Sequence, residues 1–239
     1  MLTHTKAIVL SALKYGDTSL IVKAYTQTDG LKSYLLKGVL ASKKGKLKAG
    51  LFQPLTQLEL VANHKNKGTL ETLKEAKVSY PYKTIHTDII KNSIVLFLAE
   101  VVAQSVQEGE EESQLFQFLE RAFIFLDQAT NITNFPLAFL LHLSRYLGFY
   151  PDDNQTDELY FDLLEGEFLS KPSLNPLLEA PIIYDFKTLL GTKFDAYSTV
   201  KIKKANRQEL LNKMLLYFEL HLHGFRKPKS LAVLNAVFN

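Results

Sequence analysis

Between Lys37 and Gly50 the chain reads "KGVLASKKGKLKAG", with five lysines (Lys37, Lys43, Lys44, Lys46, Lys48), three glycines and no acid. The acid-free window extends from Asp29 to Glu59 and holds six lysines. Lysine is a flexible point charge that suits phosphate oxygens and carries no base-sequence information. Gly38, Gly45 and Gly50 allow the backbone to approach a ligand closely. The chemistry this composition favours is the holding of a polyanion; the plainer alternative is a solvated basic loop. Tyr15, Tyr25, Tyr34 and Phe52 are candidate platforms for unpaired bases, and equally candidates for a core. A second basic turn, "NHKNKG", adds Lys65 and Lys67.

Catalytic signatures are missing. There is no phosphate-binding P-loop, no dinucleotide glycine fingerprint and no Gly-x-Ser-x-Gly. His221 and His223 stand two residues apart on an expected helix, so they point to different sides and cannot share a metal from one face. With no cysteine in 239 residues, disulfides and thiolate zinc sites are excluded. The stretch "FPLAFLLHLSRYLGFY" (135–150) is apolar almost all round. Either it is a fully buried central helix, or Leu141 lines a groove rimmed by Arg145 and His142 that accepts a short peptide ending in an apolar residue and a carboxylate.

The elements that position these residues divide with the charge. Residues 1–80 carry 13 lysines against 5 acids, a net +8, whereas 81–239 carry 15 basic residues against 20 acids, a net −5. The first part is the candidate for nucleic acid. It alternates apolar and polar residues in strand fashion, with Gly16-Asp17 and Asp29-Gly30 as turns. Five strands in about 80 residues predict a small closed barrel, the OB-fold, with the lysine stretch between its third and fourth strands. The last of the five, "TLETLKEAKVS", allows a helix by composition alone.

From Pro81 the period becomes helical. Helices are expected over 85–107, capped by Thr84 or Thr87, then over 113–129 and 135–147. An irregular insertion follows at about 149–183, with a hairpin turning at Glu165-Gly166. Three more helices are expected: a short one after Asp185, one over 205–223, and one after Pro228. The class is α+β: a barrel domain over 1–80 and a helical domain over 81–239. The apolar runs are too short to span a bilayer, and no secretory signal is visible, so a soluble, cytoplasmic protein is expected.

"AIVLSALKYGDTSLIVKAYTQTDGLKSYLLKGVLASKK", "LKAGLFQPLTQLEL", "RYLGFYP" and "HGFRKPKSLAVL" together resemble the bacterial recombination mediator family RecO over essentially the whole chain. The resemblance implies an OB-fold, a helical domain and no bond-making catalysis. It implies binding of single- and double-stranded DNA, annealing of complementary strands, and contacts with RecR and with the acidic-apolar tail of single-stranded DNA-binding protein, SSB. With RecR, such proteins help load RecA onto SSB-coated DNA. Lys37, Lys43, Lys44, Lys46, Lys48, Tyr34, Lys65 and Lys67, with Arg226, Lys227 and Lys229 near the C-terminus, are then the DNA-contact candidates. Leu141, Arg145, His142 and Arg121 are candidates for the partner tail. Family members often carry a zinc-binding insertion; here the hairpin "ELYFDLLEGEFL" takes its place, and neither metal nor other cofactor is expected. The rival is an RNA- or ribosome-associated OB module. Neither reading involves a membrane or a small-molecule substrate.

Overall fold

The computed structural model describes residues 1–41, 47–65, 67–107, 113–154 and 156–238. They fall into two compact units, Met1–Asp127 with Pro228–Asn239, and Gln128–Lys227. The sequence boundary at 80/81 marks the end of the sheet, but the first helices and the last one belong with that sheet and not with the rest of the helices.

In the first unit five strands, β1 (Leu2–Tyr15), β2 (Ser19–Thr26), β3 (Gly30–Leu36), β4 (Gln57–Asn63) and β5 (Thr72–Val78), pair antiparallel in the order β3-β2-β1-β4-β5. β1 serves two neighbours. Leu2–Ile8 pairs with β4 and Ala7–Tyr15 with β2, and an irregularity between Val9 and Ser11 lets the strand bend. A parallel bridge between Tyr34 and Glu71 joins the outer strands. There the Leu35 N–H donates to Glu71 O (3.0 Å) and the Glu71 N–H to Ser33 O (2.8 Å). The sheet is thereby closed into the five-stranded barrel of an OB-fold.

Period-two alternation fills it. Val9, Val22, Ala24, Leu36, Leu58, Leu60 and Leu73 point into one core. Tyr25, on the opposite face, is also buried, because its ring stacks on Phe116 (centroids 6.1 Å apart). The Asp29-Gly30 turn forms as expected, with Gly30 at φ 64°.

Three helices complete this unit: α1 (Ile89–Ser105), α2 (Ser113–Gln128, whose last residue falls to the second unit) and, near the C-terminus, Leu231–Val237. α1 begins four residues later than its apolar period suggests. Its cap is Asp88, which accepts from the N–H groups of Ile90 and Lys91, not Thr84 or Thr87. The Thr84 hydroxyl is engaged elsewhere, with Asp127. The buried Asp127 carboxylate also accepts from the backbone N–H groups of Lys83, Thr84 and Ile85 at 2.7–3.1 Å. Burial works against its charge, but these donors outweigh it and hold the carboxyl below the usual range. On α1, Glu100 accepts from Lys229 and Ser230 N–H (both 2.9 Å) and from the Ser230 hydroxyl (2.6 Å), at the start of the last helix.

The second unit holds α3 (Phe135–Tyr146), the short strands β6 (Tyr160–Asp162), β7 (Glu167–Leu169) and β8 (Leu177–Leu178), α4 (Ile182–Leu190) and α5 (Lys204–His221). The C-terminal helix Leu231–Val237 is α6. α4 begins before Asp185, and α5 stops at His221, so His223 lies beyond the helix. The hairpin turns at Glu165-Gly166, and β8 adds a third strand in the order β7-β6-β8. Phe161 packs on Phe168 and Phe186 (both 4.9 Å) and on Tyr217 (6.0 Å).

One carboxylate organises this small sheet. Asp162, 1% exposed, accepts from Leu164 and Glu165 N–H, the Ser173 hydroxyl (2.6 Å) and the Asn175 amide (3.0 Å). Among the described residues no group of three or more His, Cys, Asp or Glu is placed to hold a metal.

Gly166 sits at φ 75°, and a Cβ there would lie 2.9 Å from the Tyr217 hydroxyl oxygen, itself fixed by donation to Phe149 O (2.8 Å). Gly166→Ala is expected to cost about 2 kcal/mol from backbone strain and this contact, read as a lowered urea midpoint with an unchanged slope.

Candidate nucleic-acid interface

The loop after β3 is rooted in the barrel at both ends. Val39 and Phe52 are buried in its core, and Leu47, Ala49 and Leu51 pack against them. Gly38 N–H donates to the Ser19 hydroxyl (3.3 Å) and Leu40 N–H to Thr18 O (2.9 Å), tying the loop to the β1–β2 turn. Lys37 and Lys48 are exposed at the two ends of the loop. Lys43, Lys44 and Lys46 lie outside the described residues.

Between the end of β3 and the start of β5 the barrel opens into a cavity of about 630 Å³. Leu36, Val39, Leu47, Leu70 and Leu73 supply its apolar walls, and Lys37 and Lys74 are exposed on its lining. Glu71 is the only acid in that lining, but it is 3% exposed and both carboxylate oxygens accept from Lys65 N–H at 2.9 Å. The charge this opening presents to solvent is therefore positive. Lys65 and Lys67 are exposed on the segment leading into the same wall. Lys74 escaped the sequence reading because a helix was also allowed for that segment. Once it is a strand, the parity of Leu73 (inward) and Lys74 (outward) is plain.

The four aromatic candidates separate. Tyr34 is 1% exposed and offers no ring face to a base. Its hydroxyl lies 2.8 Å from His64 Nε2, and His64 Nδ1 lies 2.9 Å from Asp29 Oδ2. Burial, and then the charges of Asp29 and Glu71, raise the Tyr34 pKa, so the phenol keeps its proton and donates it to the imidazole. Tyr34 thus belongs to the buried chain that holds the β2–β3 turn to the end of β4, and its assignment as a stacking platform is corrected. Tyr25 and Phe52 are buried as well. Tyr15, 56% exposed at the tip of β1, is the one of the four with a free face.

The remaining candidates are dispersed. Arg226 and Lys227 are exposed at the end of the second unit, and Lys229 is exposed in the first. Arg121 is exposed on α2 in the first unit, while Leu141, His142 and Arg145 are on α3 in the second. Every residue of α3 from Phe135 to Leu141 is buried. Leu141, at 2%, is interior and not a groove floor, which corrects its assignment to an open apolar pocket. Arg145 is exposed, its guanidinium 4.1 Å from the Tyr150 ring centroid. Burial, then the Arg145 charge, hold the His142 pKa below its ordinary value, which keeps the imidazole neutral at neutral pH. His221 donates from Nε2 to Leu163 O (3.0 Å) and stacks on Phe149, a packing role.

The chain matches the family model for the N-terminal part of recombination protein O over residues 1–82 and that for its C-terminal part over residues 86–232. It is 52% identical to the DNA repair protein RecO of Christiangramia forsetii and 46% identical to that of Flavobacterium psychrophilum, in each case over the full length of both chains. The DNA repair protein RecO of Bacteroides fragilis is 38% identical, again over both full lengths.

Proposed function

This chain belongs to the recombination protein O family, and we propose that it is a non-catalytic mediator of DNA repair and recombination that works by holding nucleic acid on its barrel. The observation that carries this is the open end of the barrel, where Lys37, Lys48, Lys65, Lys67 and Lys74 are exposed and the one lining acid is internally bonded. Lysines at such an opening bind phosphates of either a single strand or a duplex without reading sequence. Tyr15 adds a face on which an unpaired base stacks. A protein that holds strands by their backbones leaves the base edges free, which is what annealing complementary strands requires.

Partner contacts complete the role. RecR and the SSB tail bring a second strand or RecA to the bound DNA, with Arg145 and Arg121 the exposed cations available to an acidic tail. His142, being neutral, contributes a hydrogen bond and no charge. The setting is the cytoplasm; among the described residues no helix is long and apolar enough to cross a membrane.

Fluorescence anisotropy with an unstructured single strand tests the reading. With four or five phosphates neutralised, log K falls with log salt at a slope of about −3. Duplex DNA of the same length binds, and complementary strands anneal faster with the protein present. A salt-independent affinity, or tight binding confined to structured RNA with no annealing, would overturn this function in favour of an RNA-associated module.

A further inference from the structure

The second unit contains a cavity of about 660 Å³ whose lining carries Lys201, Lys203 and Arg207 and no acid. It lies at the N-terminus of α5, an 18-residue helix whose cap position, Lys203, provides no side-chain bond. The first N–H of the helix with a backbone partner is Arg207, which donates to Lys203 O (2.9 Å). The N–H groups of Lys204, Ala205 and Asn206 precede that bond and carry the positive end of the helix dipole.

Two further features point to a ligand. Asn134, 5% exposed, lines the cavity; its Nδ2 donates to Val200 O (2.7 Å), while its Oδ1 has no partner. A buried amide oxygen without a donor is costly. The half-buried guanidinium of Arg207 makes one long bond, from Nη1 to Ile202 O (3.3 Å), and burial alone lowers its pKa, with no carboxylate opposing it. The nearby carboxylate of Asp185 accepts from the Asn206 side chain (2.7 Å) and is not part of the lining. The walls are set in advance: Asn131 Nδ2 donates to Ser198 O (3.2 Å) and the Tyr197 hydroxyl to Asn131 O (3.0 Å).

We propose that this cavity is a phosphate site for a single nucleic-acid strand, carried by the second unit in addition to the barrel. The oxyanion sits at the α5 N-terminus against Arg207 and the two lysines. A nucleotide carries amino or hydroxyl donors beside its phosphate, which matches the unpartnered Asn134 oxygen. An acidic peptide with an apolar end fits less well, because amides, hydroxyls and cations dominate the lining and only Val200 and Ile202 are apolar. The inference rests on the nucleic-acid reading of the chain.

The test uses the full-length protein, a 20-nucleotide oligo-dT and backbone amide resonances. Oligo-dT is expected to shift the amides of Lys204, Ala205 and Asn206. The double variant Lys201→Ala, Lys203→Ala is expected to weaken binding about 20-fold at 0.1 M salt and to reduce the salt slope by about 1.4. Both lysines are exposed, so folding is preserved, which the unchanged spectrum elsewhere verifies. Oligo-dT binding by anisotropy without movement of these amides would overturn this site and leave the barrel reading intact. So would shifts produced by an acidic peptide and not by oligo-dT. A complete lack of oligo-dT binding would overturn both.

Discussion

Replacing Lys37, Lys48, Lys65, Lys67 and Lys74 together with alanine is expected to lower affinity for single-stranded DNA about a thousandfold at 0.1 M salt. The salt slope should flatten by about 3 in the same titration. The five are exposed and belong to the segments around the barrel opening, so their removal acts on counterion release and not on packing. The loss should be alike for all base sequences, since a phosphate contact carries none of that information. Tyr15→Ala provides the contrast. It removes a stacking face worth about 1–3 kcal/mol per base, weakening a single strand while sparing a duplex, and leaves the salt slope unchanged. An equal loss on both substrates would show that Tyr15 supports the hairpin and not the bases.

Asp127→Ala is expected to destabilise the first unit by about 3–5 kcal/mol, measured by denaturant unfolding. The substitution strands three backbone N–H groups and a hydroxyl, and it leaves the buried Lys91 ammonium beside them with only Asp127 O and the Thr84 hydroxyl. Asp127→Asn keeps an acceptor and should cost less. The same carboxylate sets an acid limit. Its folded pKa is depressed, so its contribution is fully present above the ordinary carboxylate pKa of about 4 and is lost as pH falls through the folded value. Glu100 and Asp162 are depressed in the same direction: burial opposes their charge, and hydrogen bonds from Ser230 and Lys229, or from Ser173, Glu165, Asn175 and Leu164, prevail. Acid unfolding should therefore set in below about pH 4 and shift upward in the Asp127→Ala protein.

The barrel strands were legible because alternation and turn chemistry are local. Leu20, Val22 and Ala24 face inward as their period demands, and Gly30 takes the positive φ its turn needs. What closes the barrel was not legible: Tyr34 meets Glu71 and His64 across 37 and 30 residues, and no local pattern announces such a meeting. The parity of Tyr34 with the buried Leu36 did hint that its ring points inward. Asp127 looked like a helix-terminal acid, and its partners at 83–85 come from the far end of the preceding helix. For α3, burial on every side follows from an all-round apolar composition, the outcome the groove alternative set aside. The lysine stretch was visible by charge alone, whereas Lys74 needed the strand to exist first.

The small sheet of the second unit hangs on Asp162 and four hydrogen-bond donors. A fold tied by thiolates and a metal comes undone under chelation or oxidative stress, the conditions in which damaged DNA accumulates. This one has no sulfur ligand to oxidise, and its knot is a carboxylate that a chelator does not touch. Peroxide or a chelating buffer should leave this part of the molecule folded, and only acid should loosen it.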